Sequence, residues 1–127
     1  MKLVKEWWLP IETVSEMNRQ EHWSKRAKRF KKQKKRIALA FLEEPLKLKL
    51  PVHIRIIRYS SQTMDADNVN AALKGVRDAM ADQILPGFLP GRADSDPRIT
   101  WEYEQEKGKN GFLRIQFYEL TSTPSNS

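Results

Sequence analysis

The stretch Val52-His53-Ile54-Arg55-Ile56-Ile57-Arg58-Tyr59, then Ser60-Ser61-Gln62-Thr63-Met64, then Asp65-Ala66-Asp67-Asn68-Val69-Asn70-Ala71-Ala72-Leu73-Lys74, decides the fold. Val52, Ile54 and Ile56 alternate with His53, Arg55 and Ile57, the two-residue period of a strand with two distinct faces. Residues 60–64 read as a turn. Beyond them the period changes: Val69, Ala72, Leu73, Val76, Ala79 and Met80 recur at helical steps, with Asn70, Lys74, Arg77 and Asp78 on the opposite face. Asp67 or Asn68 is expected to open that helix.

Working outward, Pro86, Gly87, Pro90 and Gly91 punctuate a loop. Ile99, Trp101 and Tyr103 alternate with Thr100, Glu102 and Glu104, which predicts a half-buried strand, and Asn110-Gly111 predicts a hairpin into a last strand over residues 112–120. Upstream, residues 4–9 read as a first strand with Trp7 and Trp8 on opposite faces, and residues 10–21 as polar and irregular. Trp23, Ala27, Phe30, Lys34, Ile37 and Phe41 make one stripe of a helix that Ser24 caps and Pro45 ends. The order β-α-β-α-β-β predicts an α+β fold, a mixed sheet packed against helices. One domain over residues 1–120 is expected, with a disordered polar tail over residues 121–127.

The chain has 127 residues, 39% hydrophobic and 31% charged, which suits one well-solvated globular unit. It has no cysteine, so disulfide scaffolds, thiolate zinc sites and cysteine nucleophiles are excluded. The longest apolar run, residues 37–42, falls far short of the roughly 20 residues needed to span a bilayer. Met1-Lys2-Leu3-Val4-Lys5-Glu6 places charge where a signal peptide needs apolar residues, so a cytoplasmic location and no membrane partner are expected.

Charge is unevenly spread. Lys plus Arg number 23 against 16 Asp plus Glu, and nine of the 23 fall within residues 25–36, which hold no acid. Without those nine, 14 basic residues face 16 acidic ones, so the whole surplus sits on the first helix. Like charges one turn apart repel, and a merely solvated helix face usually mixes signs. An unmixed cationic rod attracts a polyanion, because each cation meeting a phosphate releases a condensed counterion. Nucleic acid is the expected partner, contacted by Arg26, Lys28, Arg29, Lys31, Lys32, Lys35 and Arg36. An acidic membrane surface fits less well, since the apolar stripe is broken by charge.

The carboxylates supply the second signal. If the chain is extended at Asp65-Ala66-Asp67, the two carboxylates point the same way, roughly 7 Å apart at the backbone, and can converge on a hard cation. Asp94-Ser95-Asp96 lies in the loop before another strand, where a scaffold can bring distant residues together. The same residues also suit structural work: Asp67 as a helix cap, Asp65 as a turn former, Asp94 and Asp96 as loop residues. Lys74 lies two turns beyond Asp67 on the same side, where pairing with Asn70 or Asp78 is the alternative to catalysis. His22 and His53 lack ligand spacing, and no Gly-x-Ser-x-Gly or phosphate-binding glycine loop occurs.

These residues together resemble the RusA family of Holliday-junction-resolving endonucleases. The resemblance is carried by Asp65-x-Asp67-Asn68, by Lys74-x-x-x-Asp78-Ala79-Met80 and by Asp96 followed by Ile99; residues 18–23 are faintly similar to the family's N-terminal segment. It covers roughly residues 50 to 105 well and the rest loosely. It implies Asp65, Asp67 and Asp96 as catalytic carboxylates holding Mg²⁺, with Mn²⁺ as substitute, Lys74 as the basic catalytic residue that offsets charge on the phosphate oxygens, and a homodimer that nicks branched DNA symmetrically in recombination and repair. The chain departs from the family in one respect: Val69 to Leu73 intervene before the lysine, a shift of roughly 5 Å along the helix. The competing expectation is a non-catalytic basic nucleic-acid-binding protein whose aspartates only cap and turn.

Overall fold

The computed structural model describes residues 1–14, 23–87 and 92–120. The similarity at residues 18–22, His22, the later part of the irregular segment, Pro90, Gly91 and the expected tail lie outside them. Strand β1 (Lys2–Pro10) is followed by helix α1 (Trp23–Glu43), β2 (Val52–Ser60), α2 (Ala66–Ile84), a short 3-10 turn (Ala93–Ser95), β3 (Ile99–Lys107) and β4 (Phe112–Glu119). The strands form one mixed sheet in the order β1-β4-β2-β3, with β2 and β3 parallel and β4 antiparallel to both its neighbours. The expected α+β architecture, with its mixed sheet and helices, is the one observed. Among the described residues no helix is long and apolar enough to cross a membrane.

Alternation sorts the side chains of β2 as expected. Ile54 and Ile56 are fully buried beneath the helices with Leu73, Val76, Met80, Ile115 and Phe117. Trp7 packs edge-on against Phe41 and Phe117 with centroids 5.0 Å away, while Trp8, on the other face, is 53% exposed. All six predicted apolar positions of α2 are buried. The hairpin turns at Gly111, whose φ of 87° lies where a side chain is strained.

Helix α1 ends before Pro45 as predicted, but it already includes Trp23, so Ser24 lies inside it and does not cap it, and its phase is different. Trp23 is 76% exposed, and Ala27 and Lys34 are exposed too, so the expected stripe fails over its first half. The residues turned inward are Arg29, Gln33, Ile37 and Ala40. Two local demands set that phase. The Gln33 side chain donates from Nε2 to the Glu12 carbonyl at 2.8 Å, satisfying a backbone group at the end of β1. Gly75 on α2 lets the helices meet closely, since a Cβ there would overlap Gln33 Oε1 and stand 3.0 Å from Phe30.

The connections fix which ends lie together. Trp7 Nε1 donates to Glu44 at 2.9 Å while Gln33 reaches Glu12, so α1 runs antiparallel to β1. Since β1 and β2 are both antiparallel to β4, they point the same way, and α2 returns against β2. Both helices therefore begin at the end of the sheet where β2 finishes. Eight residues before the Gln33–Gly75 contact, about 12 Å on each helix, come Lys25 and Asp67.

Candidate active site at the end of strand β2

Asp65, not Asp67 or Asn68, is the N-cap of α2: its backbone is extended and its Oδ1 accepts from Asn68 N at 3.0 Å. A carboxylate there meets the unpaired N–H groups and positive pole of the helix. Asp67 follows in the first turn, so the chain is already helical from Ala66 and the expected extended Asp65-Ala66-Asp67, with both carboxylates pointing the same way, is not what forms; both side chains are exposed. Among the described residues no cation pairs with either. The preceding turn is tied to β3 by Gln105, which donates to the Met64 carbonyl at 2.6 Å and accepts from Met64 N at 2.8 Å.

Asp96 is elsewhere. β2 and β3 are parallel, in register from Val52↔Ile99 to Ser60↔Lys107, so the residue before β3 lies where β2 starts and Asp65 lies where it ends. Val52 N donates to the Arg98 carbonyl at 2.9 Å, confirming the level. From Ile99 to Gln105, which holds Met64, β3 rises about 20 Å. The Asp96 carboxylate is occupied there by Arg98, from Nε at 3.0 Å, Nη2 at 3.1 Å and the backbone N at 2.9 Å. These bonds hold it below the usual carboxylate range. The expected convergence of Asp96 with Asp65 and Asp67 does not occur within one chain. The reason is topological: a parallel pair puts the exit of one strand and the entry of the next at opposite ends.

Asp94, the other acid of that loop, reaches back to the middle of α2. Its Oδ2 lies 3.1 Å from Arg77 Nε and 3.7 Å from Lys74 Nζ, and Lys74 also donates to Asp78 at 3.2 Å. The Arg77 approach is an ion pair without hydrogen-bond alignment, for Nε is buried with no acceptor in line. Burial pushes the Asp78 carboxyl up, with Asp94 adding to the rise and Lys74 opposing it. Arg77 donates to Tyr103 Oη at 2.9 Å and stacks 5.1 Å over Trp101, whose Nε1 donates to the Asp94 carbonyl. Lys74 thus takes the ion-pair alternative with Asp78, seven residues and about 10 Å beyond Asp67. Arg77, Tyr103 and Trp101 were not singled out in the sequence; only the i+3 spacing of Arg77 from Lys74 hinted at them.

The cationic surface divides by chemistry. Lys25, Lys28, Lys31, Lys32, Lys34 and Lys35 are exposed, whereas Arg26 and Arg36 are half-buried and Arg29 is 9% exposed. The expectation that Arg29 belongs to the contact face is therefore corrected: it lines a pocket of about 240 Å³ with Gln33, Arg36 and Glu12 between α1 and the end of β1. Ammonium groups are strongly hydrated and stay in water, while the weakly hydrated guanidinium tolerates an inner face.

Among the described residues no three His, Cys, Asp or Glu side chains gather closely enough to hold an ion. Mg²⁺ is commonly bound by one or two carboxylates, with waters and substrate phosphate completing the shell, so a site for it does not require three protein acids. No known family's sequence model matches the chain, and no curated protein matches it.

Proposed function

We propose that the protein is a Mg²⁺-dependent DNA endonuclease of the RusA type, acting on branched DNA as a homodimer. One observation supports this reading: the start of α1, with Lys25 and Lys28, and the Asp65-x-Asp67 turn lie at the same end of the sheet, although 40 residues of sequence separate Lys25 from Asp65. Exposed lysines from Lys25 to Lys35 hold the sugar-phosphate backbone and release its counterions. Asp65 and Asp67 hold the divalent ion, which when bound supplies Lewis acidity and a water of lowered pKa. Asp65 is oriented by its cap bond to Asn68, so its carboxylate is placed before any ligand arrives. Lys74 holds the Asp78 and Asp94 carboxylates and acts at most as a positioning residue.

The test is cleavage of a labelled four-way junction with Mg²⁺ and with chelator. Cleavage that requires the divalent ion, and that disappears in Asp65→Asn and Asp67→Asn while junction binding persists, supports the reading. Cleavage unaffected by either substitution overturns it. The closure of Asp96 on Arg98 favours one second reading, a non-catalytic nucleic-acid-binding protein, which predicts binding with no divalent-dependent cleavage at all.

A further inference from the structure

Among the described residues Arg58 is a buried cation with no counter-ion. It points to the helix side near the end of β2 and is 8% exposed. Its Nε donates to Thr13 Oγ1 at 2.9 Å, Nη2 to the Thr13 carbonyl at 3.3 Å and Nη1 to the Gln62 carbonyl at 3.4 Å. All three acceptors are neutral, and two of the bonds are long. A guanidinium has five N–H groups, so one on each terminal nitrogen bonds no described residue. Burial alone pulls its pKa down, with no carboxylate pulling the other way. A buried charge left in this state is costly unless something anionic completes it.

The surroundings are shaped for an oxyanion. Arg58 lines a cleft of about 730 Å³ whose wall also carries Ser60, Ser61, Thr63 and Asn110, with one acid, Glu12, among them. That wall is held in place: Asn110 Oδ1 accepts from Ser60 Oγ at 2.9 Å and from Ser61 N at 2.7 Å. The cleft runs into the turn that ends at Asp65, and Met64 is one of its walls. A fork of N–H donors beside the Thr63 hydroxyl suits an oxyanion, phosphate or carboxylate, over a cation, and phosphate is the oxyanion that the nuclease reading brings to this end of the sheet.

We propose that this cleft binds a phosphate group, with Arg58 as its anchor. Resting on the nuclease reading above, the group is a backbone phosphate of the bound strand, next to the phosphodiester at Asp65 and Asp67. Arg58 is here a binding residue, and the Asp65/Asp67 carboxylates are not part of the site.

The experiment follows the Arg58 Nε–H resonance of the full chain by ¹H–¹⁵N NMR, assigned by its loss in Arg58→Lys. Inorganic phosphate, then a short single-stranded oligonucleotide, is titrated without divalent ions. The expected result is a saturable shift of the Arg58 signal with both, and at least a tenfold weaker phosphate affinity in Arg58→Gln if that variant folds. An unmoved Arg58 signal at saturating phosphate overturns the site, with no variant needed. A shift with phosphate but none with bound oligonucleotide keeps the anion site and overturns its assignment to the backbone. Junction cleavage measured separately distinguishes failure of this site from failure of the nuclease reading, since either result can occur without the other.

Discussion

The two ends of the β2–β3 pair carry aspartates of the same loop type and treat them in opposite ways. Where β3 begins, Asp96 is closed by the fork of Arg98, two residues away. Where β2 ends, Asp65 and Asp67 face solvent with no cation on them among the described residues, beside a helix whose exposed charges over residues 25–35 are all lysine. A carboxylate neutralised by its own neighbour orders a loop. One held in place and left unneutralised keeps its charge for something that arrives. The contrast divides the acids that looked alike in the sequence into a neutralised set and an unneutralised one.

The largest expected effect breaks the comparison at its chemistry. Asp65→Asn with Asp67→Asn lowers junction cleavage by about 100-fold or more, the scale of losing one dominant electrostatic element of a site. Asp96→Asn leaves cleavage within about threefold, since among the described residues its carboxylate bonds only Arg98. Matched turnover measurements at saturating Mg²⁺ decide between them, and equal losses at both ends would erase the distinction.

Charge reversal sharpens it next. Lys28→Glu with Lys32→Glu reduces the slope of log affinity against log salt by about 2, each lost phosphate contact accounting for roughly 0.9. Lys47→Glu with Lys49→Glu, exposed at the opposite end, changes the slope by less than about half a unit. Fluorescence anisotropy with labelled duplex across a salt series reads both.

Gly75→Ala tests how the two helices bring their starts together. The added methyl collides with Gln33 Oε1 and presses on Phe30, so a loss of about 1–3 kcal/mol is expected, seen as a lowered midpoint in urea. An unchanged midpoint would mean that α1 does not seat on α2 as described.

The smallest effect is in titration. Asp96 titrates below the ordinary carboxylate range because of Arg98, and Asp78 above it because of burial. The signs differ. The lowered Asp96 favours the fold at pH above the unfolded value, and that contribution disappears as pH falls through the folded value. The raised Asp78 weakens the fold as pH rises through its folded value. Carbon-detected NMR titration should show Asp96 moving up in Arg98→Ala and Asp78 staying where it is.

Much of the fold was readable because period and punctuation agreed. The alternation of residues 52–57, the helical stripe from Val69 to Met80 and Asn110-Gly111 each pointed to the element that forms. Helix α1 shows what periodicity leaves open. Ile37 and Phe41 fixed a helix but not its rotation near the start, which was decided by Glu12's carbonyl needing a donor and by the space at Gly75. Both depend on partners distant in sequence. The site was half readable for the same reason. Asp65-x-Asp67 marks a strand-to-helix turn from its own neighbours, whereas the position of Asp96 depends on β3 pairing parallel with β2. Arg98 at Asp96 plus two was the local sign that this acid was already matched. Arg58 gave none, since a strand residue's missing counter-ion is visible only once the fold surrounds it.

The central claim is that a divalent ion goes to one end of the sheet and not the other. Paramagnetic broadening by substoichiometric Mn²⁺ in the amide spectrum reads this directly, without substrate or substitution. The account predicts loss of the Ala66, Asp67 and Asn68 signals first, with Arg98 and Ile99 sharp. Broadening centred on Asp96 and Arg98, or spread evenly over the acidic surface, would contradict it.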